Sequence, residues 1–396
     1  MKTRVFTGHI ITPNEIIENG FVVIENGIIT EIVRAGEQMS VSRSNVEYID
    51  GYILPGLVDI HNHGGAGFDY MDVTEEAFDG ISTYLASHGV TSALCTSVSA
   101  PVPALEKFLD FFRIYQEKNH NGCHFLGVHL EGPYLSIKNR GAHPENALLI
   151  PSSGYEFVLK NADAIRLVTL APELPGAEKM IADLTAAGIV VSGGHDDGLD
   201  FDIINGIRAG MNHSTHIYCA MSTLVKRNNK RYCGLCEVSM TEDRLTTEMI
   251  ADNHHVPPIL AKMIYRCKGA DRVCLVSDCL RLGGMPEDDS VYYLGASNNM
   301  GQPVKVRGGV AILLDESHFA GSVQSLDRMI ANVVRDAEIP LIDAVKMASH
   351  TPARVIGVDD QIGSIHPGKR ADFCMMDSNF NVTKTIIGGK VVYSGK

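Results

Sequence analysis

Short apolar runs that end in polar residues, each followed by a longer stretch with apolar positions at helical spacing, recur through most of the chain. The first is "YILPGLVDIHNHGG" (52–65), where the β-branched and aliphatic run 53–60 predicts a buried strand opened by Pro55 and Gly56. Side chains alternate between the faces of a strand, so His61 and His63 fall on one side, and Gly64 and Gly65 release the chain into a loop. The pattern returns in "GVTSALCTS", "HFLGVHLEGP", "AIRLVTLAPE", "GIVVSGGHDD", "GMNHSTHIYCAM", "LTTEMIADNHHV" and "RVCLVSDCL". Between the strands, Ala77, Ile81, Tyr84 and Leu85 sit at helical spacing with Gly89 suited to a C-terminal cap, and "ALEKFLDFFRIYQEK" reads as the next helix. Eight strands alternating with helices over residues 52–280 predict a TIM-type (β/α)₈ barrel. Its last helices are "SLDRMIANVVRDA" and "IDAVKMASHTPARVIG", which carries the barrel domain to residue 355.

The two ends of the chain follow a different rule. "VFTGHIIT", "GFVVIENGIITEIV" and "VEYIDG" are short strands with Asn-Gly turn signals, and "ADFCMMDSNFNVTKTIIGGKVVYSG" reads likewise. Residues 1–51 and 356–396 are therefore expected to pair into one small β-sandwich domain beside a barrel of residues 52–355. The segment 283–318, with "VYYLG" and "GGVAILLD", predicts a hairpin inserted after the eighth strand.

A net charge of −13 without a basic stripe excludes a nucleic-acid-binding surface. No apolar stretch approaches membrane-spanning length and no basic-then-apolar leader opens the sequence, so a cytoplasmic protein without a membrane partner is expected. The nine cysteines are odd in number and scattered through apolar runs, which suits reduced thiols; Cys233 and Cys236 form an isolated Cys-X-X-Cys without a second pair.

In barrels of this kind the active site lies at the C-terminal ends of the strands. His61 and His63 stand after strand one, Glu131 after three, His195 after five, His216 after six and Asp278 after eight, while strand seven ends in Asp252, His254 and His255. A single histidine at a strand exit is an ordinary polar residue. Four histidines and two carboxylates on one rim form the usual ligand set of a catalytic divalent metal.

With those residues in place, the sequence resembles the amidohydrolase superfamily, and within it the N-acetylglucosamine-6-phosphate deacetylase family. The resemblance is carried in order by "PGLVDIHNHGG", "GVHLEGPYL", "GAH", "TLAPE", "GGHDDG", "STHIYCAM", "IADNHHV", "LVSDCL", "FAGS" and "TPARVIG", over nearly the whole chain. It implies that His61 and His63 bind one metal near Asp278, that His195 and His216 bind a second, and that Glu131 bridges the two. One or two divalent ions per chain follow, zinc first, with iron, manganese or cobalt as alternatives. A bound cation supplies a nucleophilic water near neutral pH. Asp278 then carries the proton to the leaving amine, and His143 polarises the acetyl carbonyl.

The resemblance further implies that a sugar phosphate meets Arg227, His255 and the backbone near Cys219 and Ala220, with Ala142 and Phe319, Ala320 and Gly321 lining the pocket. An Arg fork and a histidine make a sound phosphate clamp. Here the chain departs from the family, which usually has Asn at Cys219, Gly at Asn253 and Arg-Glu-Pro-Gly in place of "RNNKRYCG". Lys226, Arg227, Lys230 and Arg231 nonetheless form a locally basic run in an acidic protein. The expected reaction is release of acetate from an N-acetylated amino-sugar 6-phosphate, N-acetylglucosamine 6-phosphate first. N-acetylgalactosamine 6-phosphate or another N-acyl amine is the alternative; a deaminase, a cyclic amidase or a silent binding protein ranks below. The family habit of dimers makes a homodimer, with a neighbouring subunit reaching the phosphate, the expected assembly.

Overall fold

The computed structural model describes residues 3–42, 46–118, 121–288, 290–295 and 301–395. Eight strands follow one another around one sheet in chain order: Leu57–Asp59, Val90–Ser97, His124–Glu131, Ile165–Leu170, Val190–Gly193, His213–Ser214, Thr246–Met249 and Val273–Leu275. Every neighbouring pair is parallel, with helices in the crossovers, as the alternating pattern predicts. The first crossover helix, Glu75–Ser87, starts at Thr74, whose hydroxyl accepts the N–H of Ala77. It buries Ala77, Phe78, Ile81 and Leu85 against the sheet, and Gly89 follows it at a φ of +78°. The barrel core is one continuous apolar cluster around the strands and helices, joined by Ile11, Leu54, Cys374 and Met376 of the terminal strands.

No ladder joins the first strand to the eighth among the described residues. The barrel closes just beyond their ends instead. The N–H of Asp278 donates to the carbonyl of His61 (2.9 Å), and the N–H of His63 donates to the carbonyl of Cys279 (2.9 Å). Asp59 completes the seam, accepting from the N–H of Ser277 at 3.2 Å and from its hydroxyl at 2.5 Å. The closure therefore falls on the histidines themselves.

The apolar run 53–60 is not one strand. Val46–Pro55 belongs to the terminal sheet, past the expected boundary at residues 51 and 52, and the barrel strand begins only at Leu57. Ile53 packs in the terminal core and Leu57 and Val58 in the barrel core, so one short run serves two interiors. Gly64 and Gly65 do not release a loop either: they pair with Phe68–Asp69. A Cβ at Gly64 would lie 2.1 Å from the carbonyl oxygen of Phe68, and one at Gly65 would lie 2.3 Å from the ring of Tyr84. Close approach, not freedom, requires glycine there.

The chain ends join in one seven-stranded sheet, in the order Lys390–Ser394, Val382–Ile387, Phe373–Met376, Val46–Pro55, Thr3–Ile11, Ile16–Glu25, Ile28–Val33. Asn26 and Gly27 take φ values of +53° and +84° in the tight turn between the last two. The sheet wraps on itself: the N–H of Ala371 reaches the carbonyl of Gly27 (2.8 Å), and Phe6, Ile24, Ile53, Phe373 and Ile386 share its inner core. The insert after strand eight is larger than the expected hairpin. Tyr292–Leu294, Gln302–Arg307, Val310–Leu313 and Phe319–Gly321 form a four-stranded antiparallel sheet, and residues 289 and 296–300 of that segment lie outside the described residues. No helix among the described residues is long and apolar enough to cross a membrane.

Candidate metal centre and active site

Six side chains from five strand ends meet on the C-terminal rim. Glu131 lies at their centre. Its Oε1 is 3.1 Å from Nε2 of His216, 3.2 Å from Nε2 of His195 and 3.4 Å from Nε2 of His61. Its Oε2 is 3.2 Å from Nε2 of His63 and 3.3 Å from Nε2 of His143. Asp278 closes the group from the eighth strand, with Oδ1 at 3.2 Å from His63 and 3.5 Å from His61. All of these residues are buried. His61, Glu131 and His216 form one set of potential metal ligands, and His61, His63 and Asp278 form another.

Hydrogen bonds on the outer sides of the rings determine which nitrogen faces inward. His61 Nδ1–H donates to Oε2 of Glu248 (2.8 Å), and His195 Nδ1–H donates to the carbonyl of Asn139 (2.9 Å). Both therefore present an Nε2 lone pair to the centre, as a metal ligand must. Nε2 of His61 is buried without a hydrogen-bond partner among the described residues, which fits a ligand atom better than a structural one. His143 is turned the other way: its Nδ1 accepts from the N–H of Ser99 (3.1 Å), so the neutral ring carries its proton on Nε2, facing the cavity. His143 is thus a donor toward the centre while its neighbours are lone-pair bearers.

The electrostatics follow from two carboxylates, Glu131 and Asp278, among five imidazoles. Burial opposes charge on Glu131, yet His61, His143, His195 and His216 hold it well below the usual carboxylate range. Asp278 is likewise held low against its burial by His61 and His63. Burial works against a charged His63 too, but Asp278 and Glu131 raise it to about 9. A divalent cation bound here would displace such protons, since only an unprotonated nitrogen can ligate. Burial, helped by His195 and His63 and opposed by Glu131, lowers His143 to about 4, which keeps it neutral.

The backbone is strained where the site is built. His195, His216 and Asp278 take φ values of +49°, +23° and +44°, a region that non-glycine residues seldom adopt. Each follows its strand by a residue or more, and the left-handed turn swings the side chain over the barrel mouth. Residue spacing alone carries no trace of these turns.

Above this floor lies a cavity of about 290 Å³, walled by Ala142, His143, Cys219, Ala220, His255 and Phe319–Gly321, with exposed Lys138 and His318 at its border. His255 is oriented by Asp252, whose Oδ2 accepts from its Nδ1–H (2.7 Å), and it packs against the Phe319 ring at 5.0 Å. Arg227 does not line the cavity. It lies exposed on a hairpin, Val225–Arg227 with Lys230–Tyr232, whose turn is made by Asn228 and Asn229 at positive φ.

Four further polar residues, unremarkable in the sequence, are buried around the ligands: Asp59, His129, His213 and Glu248. His129 stacks edge-on to His61 at 4.5 Å, with Nε2 2.7 Å from the hydroxyl of Thr169. The available signal was period two. His129 lies two residues before Glu131 on the same strand face, and Glu248 interrupts the apolar strand "LTTEMIA" with a charge.

Comparison with known proteins agrees with this arrangement. The model of the amidohydrolase family matches residues 52–392. The chain is 33% identical to the N-acetylglucosamine-6-phosphate deacetylase of Bacillus subtilis (strain 168), over 98% of this chain and 96% of that one. It is also 33% identical to the N-acetylgalactosamine-6-phosphate deacetylase of Escherichia coli O157:H7, over 86% and 87% of the two chains. The structure superposes with a TM-score of 0.89, at 26% identity and full coverage of both chains, on the N-acetyl-D-glucosamine-6-phosphate deacetylase of Mycobacterium smegmatis. That structure is of a mutant in complex with N-acetyl-D-glucosamine-6-phosphate. The chain belongs to the amidohydrolase family and, within it, to the N-acetylglucosamine-6-phosphate deacetylase family.

Proposed function

We propose that the chain hydrolyses the N-acetyl group of an amino-sugar 6-phosphate, N-acetylglucosamine 6-phosphate first, to acetate and the amino-sugar 6-phosphate. The observation that carries this reading is the opposed orientation of the rings around Glu131: lone-pair nitrogens of His61 and His195 beside an Nε2–H of His143 and the carboxylate of Asp278. His61, His63 and Asp278 on one side, and His195 and His216 on the other, with Glu131 between, would hold one or two divalent ions. Zinc is the first choice for this donor set, with iron, manganese or cobalt as alternatives. When bound, such an ion acidifies a water and polarises a carbonyl. The residues of the chain divide the remaining work. The carboxylate of Asp278 takes a proton and returns it to the leaving amine nitrogen; Nε2–H of His143 donates to the developing oxyanion.

His255, held by Asp252 and lining the cavity, would meet the phosphate, and Ala142, Cys219, Ala220 and Phe319–Gly321 would shape the sugar site. Arg227 is exposed and does not line the pocket of its own chain, so in this reading it completes the clamp from a second copy of the chain, as a homodimer. All nine cysteines are free thiols, in keeping with a reducing, cytoplasmic location. The relative of E. coli keeps the galactosamine epimer as the second reading. Acetate release from the 6-phosphates of N-acetylglucosamine and N-acetylgalactosamine and from the unphosphorylated sugars, with and without chelator, tests the proposal. Release unaffected by chelation, or from none of the four, overturns it.

A further inference from the structure

Glu248 has no place in the reaction just described, yet it is among the most completely buried charged groups of the chain, with zero exposure. A carboxylate there costs several kcal/mol unless charged or polar donors surround it. It has three. Oε2 accepts from Nδ1–H of His61 (2.8 Å) and from the main-chain N–H of His216 (3.1 Å), and Oε1 faces Nε2 of His213 at 3.3 Å. Nδ1 of His213 turns to the hydroxyl of Thr246 at 2.6 Å.

The first two bonds reach different halves of the rim. His61 follows the first barrel strand and His216 the sixth, and their rings lie 5.4 Å apart. Nδ1 of His216 finds no partner among the described residues, so nothing orients its ring as Glu248 orients that of His61. What holds His216 is its backbone, at a φ of +23°, tied to the same carboxylate oxygen. Loss of Glu248 would free the tautomer of one ligand and relax the strained turn of the other.

We infer that Glu248 is a positioning residue that keeps the two halves of the metal centre in register, acting on His61 through its ring and on His216 through its main chain. The inference rests on the reading of this rim as a metal centre. An outer carboxylate of this kind is worth about ten- to hundredfold in metal affinity. Glutamine at 248 keeps the volume but cannot accept from all three donors. Aspartate keeps the charge but is one methylene too short to reach them.

The test measures zinc affinity by competition with a chelating indicator, without substrate, for the unaltered chain and for Glu248→Gln and Glu248→Asp. Both variants are expected to bind zinc at least about tenfold more weakly. At saturating zinc the KM for N-acetylglucosamine 6-phosphate is expected to stay unchanged, and the visible spectrum of cobalt-loaded protein to shift. A folded variant with unaltered affinity and an unaltered cobalt spectrum overturns the inference. So does full rescue by aspartate, which would reduce the role to charge balance. Selective ¹⁵N-histidine labelling of the unaltered, zinc-loaded chain reads the same point without a substitution. A protonated Nδ1 on His61 is expected, and an unprotonated one overturns the inference even if neither variant folds. Because affinity is read without sugar, a wrong substrate assignment leaves this comparison intact.

Discussion

At the floor of the cavity, five imidazoles and two carboxylates are buried, and the outer nitrogens of His61, His143 and His195 are each assigned a partner. At its mouth, Lys138 and His318 are exposed, and Arg227 sits on a two-stranded hairpin outside the lining of the pocket. The floor is built from strand ends, whose positions the barrel ladder fixes; the mouth is built from loops. Bond-breaking demands groups held to fractions of an ångström, whereas choosing among sugar phosphates asks only for charge within reach.

The contrast sets the expected scale of damage. His195→Ala or His216→Ala removes a ligand that no loop can replace, and is expected to abolish acetate release and lower the bound metal measured by elemental analysis; His61→Ala is expected to do less if one ion suffices. Asp278→Asn is expected to retain metal and substrate but lose at least about a hundredfold in kcat, the usual worth of a positioned acid–base group. Near wild-type turnover in that variant would reduce Asp278 to a ligand or a strut.

Smaller effects belong to the mouth. Removing the phosphate from the substrate is expected to cost about ten- to hundredfold in kcat/KM, as for one or two charged hydrogen bonds. Arg227→Ala should impose a similar loss on the phosphorylated substrate and almost none on the unphosphorylated one. Given where the hairpin lies, the loss must also require association, so dilution of the unaltered protein should reproduce it. An Arg227→Ala variant with unchanged kcat/KM would leave the basic hairpin an ordinary wet surface.

The slightest effect concerns the support of Lys138. Asp197 pairs with Lys138 at 2.5 Å, and the N–H of Asp197 donates to Glu173 at 2.8 Å. Burial raises the Glu173 carboxyl to about 7. The folded chain thus keeps a proton that the unfolded chain releases near its ordinary pKa of about 4.3. Its contribution to stability is full below that value and declines as pH rises toward 7, because the unfolded state binds fewer protons in that window. Glu173→Gln should flatten this part of the profile of melting temperature against pH; an unchanged slope would place the titration elsewhere.

Eight alternations of apolar run and helical stretch were enough to read the barrel, because a buried parallel strand and an amphipathic helix each impose their own period on the residues. The same periodicity placed His61 and His63 on one side, and the position of each polar residue just after an apolar run put Glu131, His195, His216 and Asp278 on one rim. Periodicity did not reveal that residues 53–60 serve two cores, since an apolar residue looks alike in either interior. Nor could it show that Gly64 and Gly65 are there for contact with Phe68 and Tyr84.

What the chain determined by itself was the list of chemical groups and the strand end at which each emerges. Tertiary structure decided everything that depends on residues distant in sequence. The proton on His143 sits on Nε2 because the N–H of Ser99 meets the other nitrogen, and His61 faces inward because Glu248 lies 187 positions away on the seventh strand. The left-handed turns at His195, His216 and Asp278 persist because the packed rim supports them. Local sequence dictates period and propensity; which nitrogen carries a proton, and which way a strained turn points, are settled only where separate strands meet.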